Sequence, residues 1–289
     1  MNIQTSFGED LSGTLYVVPT PIGNLEDITF RAIKILKEVR MIAAEDTRNT
    51  RKLLHYFDIH TDLVSYHEHN KSTKGDELLQ RLKNGESIAI VSDAGMPAIS
   101  DPGEELVQSA IDRDHPVVVL PGANAALCAL VGSGLPVKEF LFYGFLPRKQ
   151  KDKSAVLKRL GPIGATLLFY ESPYRLLETL TDLQQHLGDR KITVARELTK
   201  KFESYIRGFT SEVIDWIGEN KVKGECCIVV EGSDEEVKNA LWWSHLSIND
   251  HIEQYMNTES LSSKEAIKKV ALDRHLPKRT VYSAYHIDG

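Results

Sequence analysis

The sequence contains few cysteines and no long uninterrupted apolar run. Three of its 289 residues are cysteines, and Cys226 and Cys227 are adjacent, so they do not readily pair with each other. A disulfide framework is therefore not expected, and a reducing cytoplasm suits the composition. The longest apolar stretch, 117–136, is interrupted by proline, glycine and asparagine, which argues against a membrane span. The segment MNIQTSFGEDLSG has no basic part followed by an apolar one, so no signal peptide is expected.

Two common nucleotide-binding motifs are missing as well. The sequence has no G-x-x-x-x-G-K-[ST], and no G-x-G-x-x-G follows its first predicted strand. Gly132 and Gly134 flank a single serine, but they lack a preceding strand and a third glycine. These absences make a nucleoside triphosphate or a nicotinamide dinucleotide a poor candidate ligand.

The chain also lacks the strongly basic charge that is typical of nucleic-acid-binding proteins. Its formal net charge is −6, with 42% hydrophobic and 26% charged residues, as in an ordinary globular protein. Phosphate recognition depends on local patches rather than on net charge, and basic residues form two clusters. The first comprises Arg148, Lys149, Lys151, Lys153, Lys158 and Arg159, and the second comprises Lys264, Lys268, Lys269, Arg274, Lys278 and Arg279. Each cluster is either a nucleic-acid contact or solvated surface.

Short apolar runs alternate with helical patterns over the first part of the chain. Within Thr29–Lys37, for example, Phe30, Ile33 and Leu36 fall on one helix face. This alternation predicts a parallel sheet with helices on both sides. The predicted strands are Thr14–Val18, Val39–Ala44, Asp62–Tyr66, Ser87–Ser92 and Val117–Leu120.

A second set of strands follows from Phe140 onward. The predicted strands are Phe140–Phe145, Thr166–Tyr170, Ile192–Arg196, Ser204–Gly208 and Glu225–Glu231, and the predicted helices are Ser154–Leu160, Pro173–Leu187 and Thr210–Gly218. The short connection between Ile192–Arg196 and Ser204–Gly208 favours an antiparallel pair and hence a mixed sheet. We therefore predict domains at 12–120 and 121–233.

The remaining residues, 234–289, are predicted to form a helical extension. Ser262 and Glu265 have the spacing of a capping box, and Pro277 is suited to the start of a further helix. The two helices resemble a helix-turn-helix without the usual turn glycine. A plain helical hairpin is an equally good interpretation.

Loops rich in proline, glycine and acidic residues follow all five strands of the first predicted sheet. They are Val18–Asn24, Glu45–Asn49, His67–Asn70, Asp93–Gly103 and Pro121–Ala126. Ligands of open parallel sheets bind beyond the carboxyl ends of the strands, which is where these loops meet. Because proline and glycine fix tight turns and allow close backbone approach, the loops suit an adenosine-bearing ligand held mainly by backbone groups.

A metal is not expected in this cleft. His67 and His69 are two residues apart, so on a strand they would face the same way, as metal ligands do. No further cluster of histidine and cysteine accompanies them in the sequence, whereas a zinc site needs three or four ligands.

Eight segments resemble one branch of the tetrapyrrole methylase family, the branch that methylates a ribose 2′-hydroxyl in small-subunit ribosomal RNA. They are VVPTPIGNLEDITFRA, AAEDTRNTRKLL, SYHEHN, VSDAGMPAISDPG, LPGANAAL, FYGFLPRK, FYESPYR and ARELTKKFE, and they span roughly residues 12–232. VSDAGMPAISDPG and PGANAA are the most specific. Porphyrin-type members tend to have Gly-Pro-Gly-Asp in the first loop and a shorter Gly-Asp-Pro turn in place of Asp93–Pro97. These departures favour the RNA branch over a tetrapyrrole substrate.

The resemblance implies two α/β domains of the tetrapyrrole methylase type, with a parallel sheet followed by a mixed sheet, plus a small helical C-terminal extension. It also implies S-adenosylmethionine as cofactor, a homodimer, and small-subunit ribosomal RNA or the small ribosomal subunit as partner. The cofactor-binding residues that it implies are Pro19, Asp93, Ala94, Gly95, Pro97, Ala125, Ala126, Tyr170, Gly224 and Glu225.

Transfer of a sulfonium methyl depends mainly on positioning the attacking oxygen, although a carboxylate that accepts the hydroxyl proton assists. The candidates for accepting the proton are Glu45, Asp46, His67, Glu171, Glu197 and Glu203. The candidates for orienting the ribose or holding phosphates are Arg48, Arg175, Arg196 and Lys200. Candidate RNA contacts are Arg48, Lys149, Lys151, Lys268, Lys269 and Arg279.

Simpler structural roles compete with some of these candidates. Glu45 or Asp46 could cap the helix that follows. Ser172 is predicted to cap the next helix, with Pro173 at its first position, which would leave Glu171 free for function. Two other functions remain as alternatives, namely methylation of a tetrapyrrole or other small molecule, and non-catalytic nucleic-acid binding by the terminal helices.

Overall fold

The strands in the described part of the chain form two five-stranded sheets, both in the first of two structural units, Met1–Gly232 and Ser233–Gly289. The structure, a computed structural model, describes residues 3–4, 13–233, 243 and 245–286. The strands of the first sheet and the helices that connect them are, in chain order, β1 (Leu15–Val17), α1 (Phe30–Glu38), β2 (Met41–Ala44), α2 (Thr47–Tyr56), β3 (Asp62–Ser65), α3 (Lys71–Lys83), β4 (Ile88–Val91), α4 (Glu104–Asp112) and β5 (Val117–Val119). The second follows with α5 (Ala125–Ser133), β6 (Phe140–Phe145), α6 (Gln150–Leu160), β7 (Thr166–Glu171), α7 (Leu176–Leu187), β8 (Lys191–Arg196), β9 (Ser204–Phe209), α8 (Thr210–Glu219) and β10 (Cys226–Val230).

The first sheet is entirely parallel, as predicted, with strand order β3-β2-β4-β1-β5. Its central strands β2 and β4 are buried along their whole length, because helices cover both faces of the sheet. Ile42 and Ala44 pack with Leu36 of α1 on one face, whereas Met41 and Ala43 belong to the cluster on the other face. The continuous apolar sequences MIAA and IAIV are therefore explained by burial on both sides.

The second sheet is mixed, with strand order β6-β7-β10-β8-β9. Strands β6 and β7 are parallel and the other pairs are antiparallel, including the predicted pair β8 and β9. Helix α5 packs on one face, and α6, α7 and α8 pack on the other. A bulge interrupts β6 between Phe142 and Gly144, and Gly144 adopts a φ of 81°.

Helix α7 begins later than predicted, which is a correction to the proposed cap. The helix starts at Leu176 with Arg175 at the N-cap, so Ser172 and Pro173 lie in a turn before it. The carbonyl of Ser172 accepts the amide of Arg175 at 3.1 Å, and its hydroxyl accepts the amide of Tyr174 at 3.3 Å. The hydrogen bonds of Ser172 therefore close a local turn instead of capping a helix at Pro173.

The first basic cluster contains one residue that is not on the surface. Lys153 in α6 is fully buried, and its Nζ lies 2.6 Å from carboxylate oxygens of both Glu178 and Asp182 in α7. Gln150 also donates to Asp182 at 2.7 Å. The helix predicted at Ser154–Leu160 begins one turn too late. The first turn of α6, Gln150–Lys153, was not recognised because its residues are all polar. Lys153 therefore joins α6 to α7 and does not belong to the exposed part of the first basic cluster.

In the described part of the C-terminal unit, residues 245–286, a helix precedes the two that were predicted. Helices α9 (Ile248–Glu259), α10 (Ser263–Asp273) and α11 (Lys278–His286) share an apolar core. The capping box of Ser262 and Glu265 is confirmed at the start of α10. Arg274 donates to the carbonyl oxygens of Leu246 and Ser247, so it holds this unit together. The two helices predicted on either side of Arg274–Pro277 are confirmed as α10 and α11, whereas α9 was not recognised from the sequence.

No helix in the described ranges is both long and apolar enough to cross a membrane. All three cysteines carry free thiols, with Cys128 exposed and Cys226 and Cys227 buried. Burial raises the pKa of Cys227 to about 12, so its thiol stays protonated at neutral pH.

Candidate active site

A cavity of about 470 Å³ lies between the loops of the first sheet and the second sheet. One wall comes from the ends of β2 and β4, through Glu45 and the loop of residues 93–101. The opposite wall comes from β6, β7 and β10, through Phe145, Tyr170 and Cys227. The start of α5 closes one side. The volume falls in the range of small-molecule sites, and the position matches the predicted rim of the parallel sheet.

The loop after β4, residues 93–103, has an unusual backbone. Gly95 adopts a φ of 81°, and Ala98 and Ser100 adopt φ values of 69° and 63°, which are uncommon for residues with side chains. The amide and carbonyl of Gly95 exchange two 2.9 Å hydrogen bonds with Thr20 in the first loop. Because non-glycine residues in this region cost free energy and cluster at functional sites, the loop is a candidate for direct ligand contact.

Asp93 ties the loop after β4 to the start of α2. Its carboxylate accepts hydrogen bonds from the Asn49 side chain at 2.9 Å and from the Asp46 amide at 3.2 Å. The first loop is also attached here, because the Thr20 hydroxyl donates to the Ser92 carbonyl at 3.1 Å. Three loops of the predicted rim are therefore held in one arrangement.

Several carboxyl groups line the cavity, and two of them have perturbed acidity. Burial raises the pKa of Glu45, and the nearby charge of Asp93 raises it further. Burial likewise raises the pKa of Asp101 to about 6, with a further contribution from Glu45. Carboxyl groups that share a cleft resist simultaneous ionisation, so the cavity favours a cationic ligand.

The wall formed by the second sheet is aromatic and well anchored. The hydroxyl of Tyr170 accepts the amide of Ala126, at the start of α5, at 3.2 Å. The Tyr170 ring meets Phe142 and Phe145 edge-on, with centroids 4.9 Å and 5.7 Å apart. Burial raises the pKa of Tyr170 to about 12, so the phenol is neutral. Phe145 remains 55% exposed beside the cavity, which leaves part of its ring surface accessible to a ligand.

Most of the predicted cofactor residues lie on or directly behind the cavity wall. Those on the wall are Asp93, Ala94, Gly95, Ala125, Tyr170 and Glu225. Those outside it are Pro19, Pro97, Ala126 and Gly224. Pro19 packs against Gly122, where an added Cβ would meet its ring at 2.6 Å, and Gly224 leaves room for the carboxylate of Glu197.

Asp46 and Arg48 form a structural pair outside the cavity wall. The Asp46 carboxylate caps α2 by accepting the Arg48 amide at 2.8 Å, and it also binds the Arg48 guanidinium at 2.7 Å. These hydrogen bonds from Arg48 lower the pKa of Asp46 to about 2. Asp46 is therefore the residue that caps α2, whereas Glu45 lines the cavity.

Glu171 lines the cavity, but its carboxylate is already engaged. It accepts the Ser172 amide at 2.8 Å and the Thr179 hydroxyl at 2.7 Å, and Arg175 lies 3.6 Å away. Arg175 also donates to the carbonyl of Leu146 at 3.3 Å. Contrary to the prediction that a Ser172 cap would leave it free, Glu171 holds the end of β7 to α7.

Lys200 lies in the loop after β8 and bridges two carboxylates. Its Nζ is 3.1 Å from both Glu197 and Glu225, and its side chain packs against Gly23. Burial alone would lower the pKa of Lys200, but the hydrogen bonds to Glu197 and Glu225 raise it. Lys200 therefore fixes Glu225 at the cavity edge and contacts the first loop.

Several cavity residues were not singled out from the sequence. Asp101 and Asn124 lie inside loops that were recognised, but their own side chains were not distinguished from the turn-forming residues around them. Ile22, Met96 and Phe145 also line the cavity. In the sequence, Ile22, Met96 and Phe145 stand out in one respect only. Each is an apolar residue at a strand end or in a loop, where solvent exposure would otherwise be expected.

Within the described ranges, no group of three or more histidine, cysteine, aspartate or glutamate side chains is arranged to hold a metal ion. His67 and His69 lie after β3, which ends at Ser65, in the loop that the sequence predicted, so they do not share a strand face on which both would point the same way. Their rings meet edge-on with centroids 5.9 Å apart.

Comparison with known proteins agrees with this architecture. Residues 14–214 match the family model of the Tetrapyrrole (Corrin/Porphyrin) Methylases. A diphthine synthase structure superposes with a TM-score of 0.60 at 16% identity, covering 76% of this chain and 90% of that one. A cobalt-precorrin-4 methyltransferase of cobalamin biosynthesis gives 0.57 at 14% identity, covering 78% and 98%. At these identities the structures show the fold alone. The family match, over residues 14–214, is what places the chain among the methylases of the tetrapyrrole type.

Full-length relatives narrow this class. The chain is 56% identical to "Ribosomal RNA small subunit methyltransferase I" of Bacillus subtilis (strain 168), over 98% of each chain. It is 45% identical to the protein of that name in Synechocystis sp., over 93% of this chain and 96% of the relative. The chain therefore belongs to the tetrapyrrole methylase family and, within it, to the group of ribosomal RNA small subunit methyltransferase I.

Proposed function

We propose that the protein transfers a methyl group from S-adenosylmethionine to the 2′-oxygen of a cytidine ribose in small-subunit ribosomal RNA, in the cytoplasm. The observation that carries the proposal is the cavity of about 470 Å³ lined by carboxyl groups and by the Gly95 loop. The names of the full-length relatives support the same substrate class.

The cavity fits this cofactor in size and in chemistry. Apolar and aromatic side chains suit an adenine ring, and the carboxyl groups of Glu45 and Asp93 suit a ligand with positive charge. Asp93, Gly95, Ala125, Tyr170 and Glu225 are the residues that would hold it, as the resemblance implied. When bound, the cofactor supplies a methyl group that its sulfonium centre already activates.

The protein's main contribution is then to orient the attacking hydroxyl and to exclude water, since effective concentration alone can lower such a barrier by roughly 7–11 kcal/mol in favourable systems. Glu45 lines the cavity and stays among the candidates for contact with the reacting groups. Asp46, Glu171, Arg175 and Lys200 are positioning residues in this account, because each is committed to hydrogen bonds or ion pairs within the protein.

Two exposed basic patches are the proposed RNA contacts. The first patch, before and at the start of α6, consists of Arg148, Lys149 and Lys151, and the second consists of Lys264, Lys268, Lys278 and Arg279. Lys269 is less available, because its Nζ lies 2.6 Å from Glu259 and over the ring of Tyr255. Arg48 is exposed but paired with Asp46.

Neutralising each patch separately should reveal which one holds phosphates. We expect a triple alanine variant of Arg148, Lys149 and Lys151 to flatten the dependence of log affinity on log salt by about 2, because each single-strand phosphate contact contributes roughly 0.7. The measurement is subunit binding across a salt series, with the four-residue second-patch variant compared in parallel.

The matched control replaces three exposed lysines elsewhere, Lys37, Lys83 and Lys221, with alanine. Equal slopes for this control and for both patch variants would contradict the assignment of the patches to RNA. Cofactor affinity should be the same in all variants, because the patches do not line the cavity.

A homodimer is also proposed, and α5 supports it. The helix is apolar on all sides, yet Leu127, Cys128 and Val131 are exposed on it, with Val131 75% exposed. An apolar helix with an uncovered face is typical of an interface. We expect Val131→Glu to shift the sedimenting species from dimer to monomer, whereas Lys37→Glu should leave it dimeric.

Methylation assays with purified protein test the proposed function. Small ribosomal subunits, naked ribosomal RNA and a porphyrin precursor are each incubated with methyl-labelled S-adenosylmethionine. We expect label only in the RNA, in a dinucleotide that resists alkaline hydrolysis because its 2′-oxygen is blocked. Label in the porphyrin would favour the small-molecule alternative. RNA binding without any transfer would favour a non-catalytic protein.

A further inference from the structure

Asp101 lines the cavity, and the backbone conformation of its loop places it there. It follows Ser100, whose φ is 63°, and precedes Pro102 and Gly103, whose φ is 140°. Ser100 lies directly against the bulge in β6, since a Cβ on Gly144 would meet the Ser100 hydroxyl at 2.9 Å. The left-handed residue in the loop and the bulge in the opposite sheet together bring Asp101 to the cavity wall.

The surroundings of Asp101 distinguish it from three other carboxylates of the cavity. Glu171 already accepts hydrogen bonds from Ser172 and Thr179, and Glu225 is paired with Lys200. Asp93 accepts hydrogen bonds from the start of α2. Asp101 is instead partly buried among like charges on the cavity wall, as Glu45 is, and of these two it is Asp101 that lies in the loop with the left-handed residues Ala98 and Ser100.

We propose that Asp101 is the catalytic base that accepts the proton of the attacking ribose hydroxyl. This inference rests on the proposed function, since it names a residue for that reaction. The Asp101 carboxylate takes the hydroxyl proton while the oxygen forms its new bond to the methyl carbon. The carbon–sulfur bond breaks, and its electron pair passes to sulfur, which becomes an uncharged thioether.

Burial and the like charges that face Asp101 make it a stronger base than an ordinary aspartate. Burial above all, together with the charges of Glu45, Asp93 and Glu225, raises the pKa of Asp101 to about 6 against the opposing effect of a hydrogen bond from Ser92. Glu45 faces it from the end of β2, Asp93 from the end of β4, and Glu225 from the residue before β10. A base with a pKa near the working pH combines a high ionised fraction with a strong tendency to accept a proton.

The raised pKa of Asp101 also predicts how the stability of the protein changes with pH, independently of catalysis. Between the ordinary pKa of 3.8 and about 6, the folded state binds more protons at Asp101 than the unfolded state does. Stability is therefore lost as the pH rises through this window, and the loss persists at higher pH. Asp101→Asn removes the buried charge, so it should raise the melting temperature by a few degrees at pH 8 and leave it unchanged near pH 4.

The experiment compares the wild type, Asp101→Asn and a matched control, Asp112→Asn, which changes an exposed aspartate at the end of α4. Melting temperature is measured from pH 4 to 8, cofactor affinity by calorimetry, and kcat/KM for small subunits over the same pH range. We expect Asp101→Asn to bind cofactor within about threefold of wild type and to lose about 100-fold or more in kcat/KM, a typical contribution of a general base. The wild-type rate should fall as the pH drops below about 6, and this dependence should be absent in Asp101→Asn.

Failure of the inference and failure of the proposed function give different results. If the wild type methylates ribose and Asp101→Asn retains its rate and acid limb, Asp101 is not the base. Loss of cofactor binding in Asp101→Asn, or failure of that variant to fold, would also overturn the assignment, because both contradict the expected affinity and stability. If the wild type transfers no methyl group to RNA, the proposed function fails and the inference fails with it.

Discussion

Gly95→Val is expected to abolish cofactor binding, with at least a 100-fold loss of affinity, while the protein stays folded. Gly95 has a φ of 81°, a conformation that a β-branched residue rarely adopts. An added Cβ would already lie 3.3 Å from the Ile22 side chain, and the branches of valine would extend into the cavity wall. Calorimetry with S-adenosylmethionine measures the loss, and circular dichroism checks the fold.

Gly134→Val provides a control with the same backbone strain. Gly134 ends α5 with a φ of 77°, and nothing lies within 4 Å of its added Cβ. Each substitution should cost about 1–3 kcal/mol of stability through its left-handed backbone. We expect only Gly95→Val to lose the cofactor. Normal binding by Gly95→Val would place the cofactor outside the loop of residues 93–103.

Lys153→Ala is expected to destabilise the protein by about 3 kcal/mol. Removal of the buried ammonium leaves the Asp182 carboxylate, whose side chain is 8% exposed, with the Gln150 side chain as a remaining hydrogen-bond donor. Breaking a buried ion pair typically costs about 3–5 kcal/mol, and we use the low end because Glu178 is 62% exposed. Urea unfolding followed by circular dichroism measures the change.

Lys151→Ala is the matched control, because Lys151 lies on the exposed side of the same helix turn. Its effect should stay within about 0.5 kcal/mol. The double variant Lys153→Met with Asp182→Leu should recover at least half of the loss, since it removes both buried charges. If Lys153→Ala were as stable as Lys151→Ala, the ion pairs would contribute nothing to the packing of α6 on α7.

Much of the fold could be predicted, because strands that are buried on both faces are continuously apolar in sequence. The runs MIAA and IAIV predicted β2 and β4, and the short link between β8 and β9 predicted their antiparallel pairing. Helix starts were less predictable. The first turn of α6 is polar, and α7 begins after a turn at Ser172 whose geometry depends on tertiary contacts. Lys153 could not be recognised as buried, because its partners lie 25 and 29 residues away in sequence.

The site was predictable at the level of loops and less so at the level of side chains. The motifs located the cavity wall from Asp93 to Gly95, because tight turns require glycine and proline at fixed positions. They did not separate Asp46, which caps α2, from Glu45, which faces the cavity. That distinction depends on which carboxylate the chain turns toward a backbone amide. Asp101 was not singled out from the sequence, because its burial and its acidic neighbours exist only in the folded protein.

The central claim is that this chain methylates a ribose of small-subunit ribosomal RNA through the cavity lined by Gly95. Mass spectrometry of nuclease-digested ribosomal RNA from cells lacking the gene, complemented with wild type, Gly95→Val or Gly134→Val, tests it most directly. We predict that one 2′-O-methylcytidine is missing without the gene and is restored by wild type and Gly134→Val but not by Gly95→Val. An unchanged set of ribose methylations in cells lacking the gene would contradict the account.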